Sequence, residues 1–341
     1  MKQKVLVTGG SGFLGSQIIL QLLQQGYEVK TTVRSKKSEK HVKSLLKQQG
    51  MIELHSLTFV KADLSKDENW ELAMKDCTYV LSVASPVFFE IPKNEEEAIR
   101  PAVDGILRVL KMAKKMKVKK VVMTSNFGAI GFSKKTSTQP TTEEDWTSLE
   151  ERGLSIYEKS KLIAERTAWK FIEEEEGNGL ELTTINPVAI LGPSLSPHVS
   201  NSFVLLDMLF KDKWAPQLPL NIVDVRDVAD LHIRAMTSEK ANGQRFIASC
   251  DGQISLFEMA EIIRKERPDL AKKLQAKKIP NWLIQVSALF NQRAKEGALM
   301  LSINRNISNQ KAKEQLGWQP LGTNKQVLLA TIDSMEKYGL L

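Results

Sequence analysis

Two residues that can move a proton, Tyr157 and Lys161, lie four positions apart near the middle of the chain. The surrounding pattern predicts a helix over residues 155–173, which places both side chains on one helical face. An ammonium group near a phenol favours the phenolate and lowers the pKa of the tyrosine from about 10. Such a tyrosine can give a proton to a carbonyl oxygen, or take one from an alcohol, near neutral pH. The same spacing also arises by chance in helices, so the surrounding elements decide its meaning.

A glycine-rich loop near the start of the chain predicts a dinucleotide site. Lys4 to Val7 reads as a buried strand, and helical periodicity begins at Phe13. Between them the glycines follow at spacings of three, where missing side chains let backbone amides approach a pyrophosphate at a helix N-terminus. An ordinary tight turn is the alternative. The candidate cofactor residues here are Thr8, Gly9, Gly12, Phe13, Leu14 and Gly15.

Arg34 follows the second predicted strand, residues 27–33, where NAD-binding domains place an acid for the ribose 2′-hydroxyl. No carboxylate occurs here before Glu39. A guanidinium binds a 2′-phosphate through paired, charge-assisted hydrogen bonds, whereas a carboxylate would repel it. The stretch therefore predicts NADP(H) as the cofactor in preference to NAD(H). The alternative is a solvated basic loop. Ser35 and one of Lys36, Lys37 or Lys40 are the predicted helpers of Arg34, and Lys37 is the one we assign to the cofactor.

Three further pairs of residues follow predicted strands and are candidates for the cofactor. Asp63 and Leu64 follow the third strand, and an ordinary turn or helix cap is the alternative for Asp63. Ala84 and Ser85 end the fourth strand, where small residues permit close approach to the nicotinamide-side ribose; a turn before proline is the alternative. Pro187 and Val188 interrupt the sixth strand, which can wrap the nicotinamide or simply bend at a sheet edge.

The alternation of strands and helices predicts an α/β fold, a Rossmann doubly wound parallel sheet with helices on both faces. Residues 1–192 are predicted to form this dinucleotide-binding domain, and the chain is predicted to return to it at about 221–249. Residues 193–220 and 250–341 are predicted to form a smaller, mostly helical substrate-binding lobe. Ligands in such sheets bind beyond the carboxyl ends of the strands, so this lobe is expected to set substrate choice.

Composition narrows the class of protein further. The chain has 341 residues, a formal charge of +8, two distant cysteines and four dispersed histidines. The basic residues are scattered, which argues against nucleic acid, and no apolar run is long enough to predict a membrane span or secretion signal. The cysteines suit a reducing compartment, so a cytoplasmic protein is expected. The histidines have no metal-ligand spacing, and no metal site is predicted.

Taken together, these motifs resemble the extended short-chain dehydrogenase/reductase superfamily, in particular its aldehyde/methylglyoxal reductases and plant dihydroflavonol 4-reductases. The resemblance is dense over residues 1–235 and thin afterwards. It implies that Asp63 and Leu64 lie against the adenine and that Lys161 also binds the nicotinamide ribose, with Tyr157 beside it. The matching stretches are 8–15, 32–34, 83–86, 121–125, 157–161 with Ala164 and Glu165, 184–193, 224–230 and 316–318.

One position departs from the pattern of that superfamily. Its members usually carry Thr-Ser-Ser after the fifth strand, and the second serine donates a hydrogen bond to the substrate carbonyl. This chain has Thr124-Ser125-Asn126 instead. The Asn126 amide can donate the same bond, since the carbonyl needs a positioned donor of any type. A shift of register that brings Ser125 into this role is the other interpretation, and an impaired site is the third.

These features predict NADPH-dependent reduction of an aldehyde or ketone to an alcohol, with reverse alcohol oxidation also open. The alternatives are an NAD-dependent nucleotide-sugar epimerase or dehydratase, and a non-catalytic protein that senses NADP. The expected partner is a small carbonyl compound, bound by a monomer or homodimer, with neither nucleic acid nor membrane. Apolar residues favour a hydrophobic substrate, and the candidate pocket residues are Val87, Phe88, Phe127, Val199, Asn201 and Phe203.

Overall fold

The structure is a computed structural model, and it describes residues 3–85, 94–174, 179–211, 214–274, 277–287 and 292–341. Its strands are β1 Lys4–Val7, β2 Glu28–Val33, β3 Leu57–Lys61, β4 Tyr79–Ser82, β5 Lys120–Thr124, β6 Glu181–Pro187, β7 Ala189–Leu191, β8 Trp214–Pro216, β9 Pro219–Leu220, β10 Ile222–Asp224, β11 Gln244–Ala248, β12 Ile254–Ser255 and β13 Lys277–Ile279.

The helices alternate with the strands as far as β6 and then dominate. They are α1 Phe13–Gln24, α2 Lys36–Gln48, α3 Trp70–Met74, α4 Glu95–Lys115, α5 Gly128–Gly131, α6 Ile156–Glu174, α7 Val204–Phe210, α8 Val225–Thr237, α9 Leu256–Glu266, α10 Pro268–Ala271, α11 Asn281–Ser287, α12 Gln292–Ser302, α13 Gln310–Leu316 and α14 Asn324–Lys337.

A seven-stranded parallel sheet with the order β11-β6-β5-β4-β1-β2-β3 forms the centre of the molecule. The chain runs outward from β1 through β2 and β3, then returns to start again at β4 on the other side. The crevice between the carboxyl ends of β1 and β4 is therefore the topological switch point, where such sheets bind their ligands. The predicted fold class is confirmed.

Helices cover both faces of the sheet, so most residues of its inner strands are buried. On one face α1, α2 and α8 pack through side chains such as Ile18, Leu46 and Val228. On the other face α3, α4 and α6 pack through Trp70, Val109 and similar residues. The sheet is thereby held rigid beneath the loops at its carboxyl edge.

The stretch Leu182 to Leu191, predicted as one interrupted strand, divides into two strands of different sheets. β6 lies within the central sheet, whereas β7 pairs with β10. Pro187 ends β6 because it has no N–H to continue a ladder of hydrogen bonds. The division turns the chain away from the sheet at Val188, beside the carboxyl end of β5.

After β7 the chain forms short paired strands and helices, and it comes back to the sheet at β11. Two isolated bridges, Lys135 to Ile303 and Thr141 to Ile307, attach the segment after α12 to the loop after α5. Trp318 is fully buried, and its indole N–H donates to the Asp227 carbonyl of α8 over 3.0 Å. Within the described parts of the chain, the search for a helix long and apolar enough to cross a bilayer finds no candidate.

Candidate active site

The loop between β1 and α1 forms a cradle that only glycine can line. Gly9 has φ +71°, and a Cβ added there would lie 3.0 Å from the Cβ of Ala84. A Cβ on Gly15 would lie 2.3 Å from the Gly9 carbonyl oxygen, so the helix could not approach the loop. Gly12 caps α1 without any side-chain cap, which leaves amides of the first turn for a ligand. This geometry fits a pyrophosphate.

Phe13 and Leu14 contribute backbone to this cradle, since their side chains are buried in the core. The ring of Phe13 packs edge-on against Phe203, with 5.5 Å between centroids. Gly10, which the motif spacing does not single out, is as restricted as Gly15, because a Cβ there would lie 2.1 Å from the Thr31 hydroxyl.

Thr8 fixes the other wall of the crevice. Its side chain is fully buried, and its hydroxyl oxygen accepts hydrogen bonds from the amides of Val83 and Ala84, each over 2.9 Å. The end of β4 is thereby held against the glycine loop. Ala84 and Ser85 thus border the crevice, and Thr8 acts on it by positioning the backbone.

Arg34 lies exposed at the end of β2, at the same sheet edge as Asp63. The pKa of Asp63 is lowered, first by the hydrogen bond from the Ser65 amide and also by the charge of Arg34. Ser35 caps α2 by accepting from the Ser38 amide, and Lys37 is exposed in the first turn. Leu64 packs towards Gly105 of α4. The basic residues thus surround a helix N-terminus, which favours a phosphate.

The helix α6 carries Tyr157 and Lys161 and begins with a reciprocal pair of hydrogen bonds. The Glu158 carboxylate accepts from the amide and hydroxyl of Ser155 over 2.8 Å each, and the Ser155 hydroxyl oxygen accepts from the Glu158 amide over 3.3 Å. This arrangement is a capping box, and it fixes the turn on which Tyr157 stands.

Lys161 is buried and points towards β5, where its Nζ lies 3.4 Å from the Thr124 carbonyl oxygen. Burial lowers the pKa of Lys161 to about 8, and the Glu165 carboxylate opposes this shift. Near neutral pH, the protonation of Lys161 therefore depends on the charged groups around it.

The pKa of Tyr157 is raised above 10, not lowered. Burial is the main cause and the Glu158 charge adds to it, while a hydrogen bond with the Asn126 side chain lowers the pKa. This differs from the prediction that Lys161 lowers the pKa of Tyr157, because the lysine is directed at the Thr124 carbonyl.

Asn126 and Ser125 point to different places. The Oδ1 of Asn126 accepts from the Ala129 amide over 3.2 Å, so its Nδ2 group remains available as a donor, and the side chain lies near Tyr157. Ser125 is buried and donates its hydroxyl to the Glu165 carboxylate behind the site. The structure thus brings Asn126 together with Tyr157 and turns Ser125 away.

The remaining predicted residues border this centre or lie in the core. The Pro187 carbonyl accepts from the Phe127 amide over 2.9 Å, and the Val188 amide donates to the Ala248 carbonyl over 3.1 Å. Phe127 and Phe203 are buried, Val199 is half-buried and Asn201 is exposed. Val87 and Phe88 lie outside the described residues.

Sequence reasoning missed several charged and polar groups around the centre. Arg305 lies near Glu158; its buried Nε has no hydrogen-bond partner, and burial lowers its pKa to about 10. His232 is fully buried, donates from Nδ1 to the Val228 carbonyl and accepts at Nε2 from the Thr124 hydroxyl, both over 2.7 Å. Of these groups around the centre, only Glu165 was indicated by the sequence, because it lies in a stretch that resembles the superfamily. Across the described residues, no three His, Cys, Asp or Glu side chains cluster as metal ligands would.

A glycine cradle at the switch point of a parallel sheet, followed by a helix bearing Tyr157 and Lys161, defines a dinucleotide-binding enzyme of the Rossmann type. The chain belongs to the NAD dependent epimerase/dehydratase family, whose model matches residues 5–248. This confirms the resemblance drawn from the motifs.

Reductases are found among its relatives. Tetraketide alpha-pyrone reductase 1 of Arabidopsis thaliana is 38% identical over 278 residues, covering 79% of this chain and 82% of that protein. Dihydroflavonol 4-reductase of Dianthus caryophyllus is 32% identical over 276 residues, covering 78% and 74%. The crystal structure of yeast methylglyoxal/isovaleraldehyde reductase Gre2 complexed with NADPH superposes with a TM-score of 0.80 at 26% identity, covering 99% of this chain and all of that one.

Proposed function

We propose that the protein reduces an aldehyde or ketone to an alcohol with NADPH, and that Tyr157 gives the proton to the carbonyl oxygen. The observation that carries this proposal is the position of α6 against the carboxyl end of β5, where Nζ of Lys161 lies 3.4 Å from the Thr124 carbonyl oxygen and the Asn126 side chain lies near Tyr157. Two donors that can reach one oxygen atom converge there. The class, an NADP-dependent oxidoreductase, agrees with the named reductase relatives and with the NADPH-bound Gre2 structure.

The cofactor fits the residues that are present. The amides of the glycine loop and the first turn of α1 would hold the pyrophosphate, and Arg34 with Lys37 and the α2 N-terminus would hold the 2′-phosphate. Asp63 and Leu64 would lie by the adenine. Ala84, Ser85, Pro187 and Val188 would border the nicotinamide half. NADPH, when bound, supplies the hydride that the carbonyl carbon receives.

The side chains of this protein would provide the proton and the charge. A raised pKa keeps Tyr157 protonated at neutral pH, which suits a group that gives up a proton to the oxygen. The Nδ2 group of Asn126 would donate to the same oxygen as negative charge develops on it. Lys161 would bind the nicotinamide ribose.

The proposed substrate is a hydrophobic carbonyl compound. The apolar cluster of Phe127, Leu154, Leu299 and Ile303 lies beside the Tyr157 turn, with Val188 and Met300 packed on it. Residues 193–220 and 250–341 would form the lobe that closes over it. Glu158 and Arg305 add a polar end to this region, which favours substrates that also carry a hydrogen-bonding group.

The test is the loss of NADPH absorbance with a panel of aldehydes, ketones and flavanonols. Turnover of at least one class with NADPH, and much less with NADH, is the expected result. The family name also covers epimerases and dehydratases of nucleotide sugars, so the panel includes these with NAD. Activity on nucleotide sugars alone would replace the proposal with that function, and cofactor binding without turnover of any compound would replace it with a sensor.

A further inference from the structure

A buried carboxylate, that of Glu165, lies behind the proposed catalytic residues and is held by several hydrogen-bond donors. Glu165 is fully buried, and one of its oxygens accepts from the Ser125 hydroxyl and from Nδ2 of Asn186 over 2.7 Å. The other oxygen accepts from Nε of Arg245 over 2.8 Å and from the Thr184 hydroxyl over 3.0 Å. A carboxylate with this many donors is fixed in place.

Arg245, the ionic partner of Glu165, is itself held from the other side. Its Nη1 donates to the carbonyl oxygens of Glu143 and Asp145 over 2.8 and 2.9 Å. Its guanidinium stacks on the Trp146 ring, 3.6 Å from the centroid. The Glu165 carboxylate therefore has a fixed anchor in the loop after α5.

Asn186 connects this carboxylate to the carbonyl-binding residue. It is fully buried, and its Nδ2 group donates both to Glu165 and, over 3.1 Å, to the backbone carbonyl of Asn126. The Asn126 side chain is held in turn through its Oδ1 by the Ala129 amide. Glu165 thus reaches the backbone of Asn126 through Asn186, and the Ala129 amide orients the side chain on that backbone.

The same carboxylate acts on Lys161, one helical turn before it on α6. Burial depresses the pKa of Lys161 and the charge of Glu165 opposes that depression. The other charged or titratable groups around Lys161 are Tyr157 and Glu158 on its own helix, His232 of α8 through Thr124, and Arg245 of β11 through Glu165. His232 stays neutral above about pH 4.

We propose that Glu165 is a positioning residue for the reduction, which holds the backbone of Asn126 through Asn186 and places a carboxylate one helical turn from Lys161. This rests on the proposed function. A purely structural ion pair would explain the burial, but it would not couple Glu165 to both groups that serve the carbonyl and the cofactor. The two roles predict different readouts, which the following experiment separates.

The test compares the full-length Glu165→Gln variant with the wild-type protein across a range of pH. Glutamine keeps the shape but loses the charge, so we expect kcat to fall by up to about a hundredfold. The KM for NADPH should change little. The decline of kcat on the alkaline side should move to lower pH, since Lys161 loses the charge that supports its ammonium form.

A second variant and a matched control keep the test decisive. Asn186→Ser removes the link to Asn126 but leaves the Glu165–Arg245 pair, so its kcat should fall while its alkaline decline stays in place. Trp169→Phe removes only a 3.4 Å contact to the same carboxylate and should behave as wild type. Thermal unfolding checks that each variant is folded, and Asn186→Ser decides the question alone if Glu165→Gln does not fold.

Unchanged kcat in folded Asn186→Ser, or an unmoved alkaline decline in folded Glu165→Gln, would overturn the proposal. Failure of the wild-type protein to oxidise NADPH with any carbonyl compound would instead overturn the proposed function. The two failures are therefore distinguishable.

Discussion

Asn126 occupies the position that the family pattern gives to a serine, and its contacts bear on the role that we propose for its amide. The Oδ1 atom is occupied by the Ala129 amide, so the Nδ2 group is the free donor. Gly128 makes room for this arrangement, since a Cβ there would lie 3.1 Å from Oδ1 of Asn126. The sequence left Asn126 and Ser125 as alternatives because two adjacent residues at a strand end differ by a turn of the backbone that spacing does not reveal.

The role proposed for Asn126 predicts which of two variants has the higher kcat. Asn126→Ala removes the donor to the developing oxyanion, so kcat should fall by about a hundredfold to a thousandfold. Asn126→Ser restores a hydroxyl donor and should recover most of that loss. Steady-state kinetics with one aldehyde and saturating NADPH measures both. Wild-type kcat in Asn126→Ala would show that another group holds the carbonyl.

Arg34 gives the second prediction at this scale. A hydrogen bond to a charged group contributes about 1.5 to 3 kcal/mol, so Arg34→Ala should weaken NADPH binding roughly tenfold to a hundredfold. NADH, which has no 2′-phosphate, should bind almost as before. Fluorescence titration of both cofactors measures this, with Lys47→Ala at the far end of α2 as the control. Equal weakening of both cofactors would remove Arg34 from the 2′-phosphate site.

Among the elements, the regular βα alternation up to β6 was predictable because each strand is a short apolar run between turn residues. The later elements were harder to predict from the sequence. α14 was not predicted, although Thr323 and Gln326 form a capping box at its start. β7 and β10 are three residues each and gain their place from pairing with each other, which local propensity does not show.

The contact between α8 and β5 was also not predictable from the sequence. It buries His232 against Thr124, and it therefore predicts how the stability of the protein depends on pH. Burial lowers the pKa of His232 from 6.5 to about 4 in the folded protein. The unfolded chain binds a proton below about pH 6.5, while the folded protein does not. Stability is therefore full above that pH and is lost as the pH falls towards 4, by roughly 3 kcal/mol.

His232→Gln should remove this part of the acid sensitivity, because an amide can keep both hydrogen bonds without titrating. Urea unfolding of the wild-type and variant proteins, at neutral pH and near pH 4, measures the difference. An equal loss of unfolding free energy in both proteins would assign the acid sensitivity to other groups.

Across the whole molecule, the residues of the site come from distant parts of the chain. The glycine loop and the pair Tyr157 and Lys161 have recognisable spacings over a few residues, so the sequence was enough to predict them. Arg305 follows α12, yet it lies near Glu158 of α6. Its place depends on the bridges that attach residues 303–307 to the loop after α5. We expect such contacts to decide substrate choice, so the motifs predict the reaction better than they predict the substrate.

The same scale explains why the elements up to β6 were easier to predict from the sequence than most of those after β7. In a parallel sheet the carboxyl ends of all strands lie at the same edge. The approximate location of a motif that follows a strand is therefore known from the sequence. Apart from β11, the segments after β7 have no such frame. They pack through residues such as Trp318, whose partner Asp227 is far away in sequence.

The central claim, proton transfer from Tyr157 during NADPH-dependent carbonyl reduction, is tested most directly by Tyr157→Phe. We predict that NADPH oxidation with the best carbonyl substrate falls by about a hundredfold to ten-thousandfold, since the general acid is lost. The dissociation constant for NADPH should stay nearly the same, because the glycine cradle and Arg34 are untouched. Turnover close to that of the wild-type protein would contradict the account.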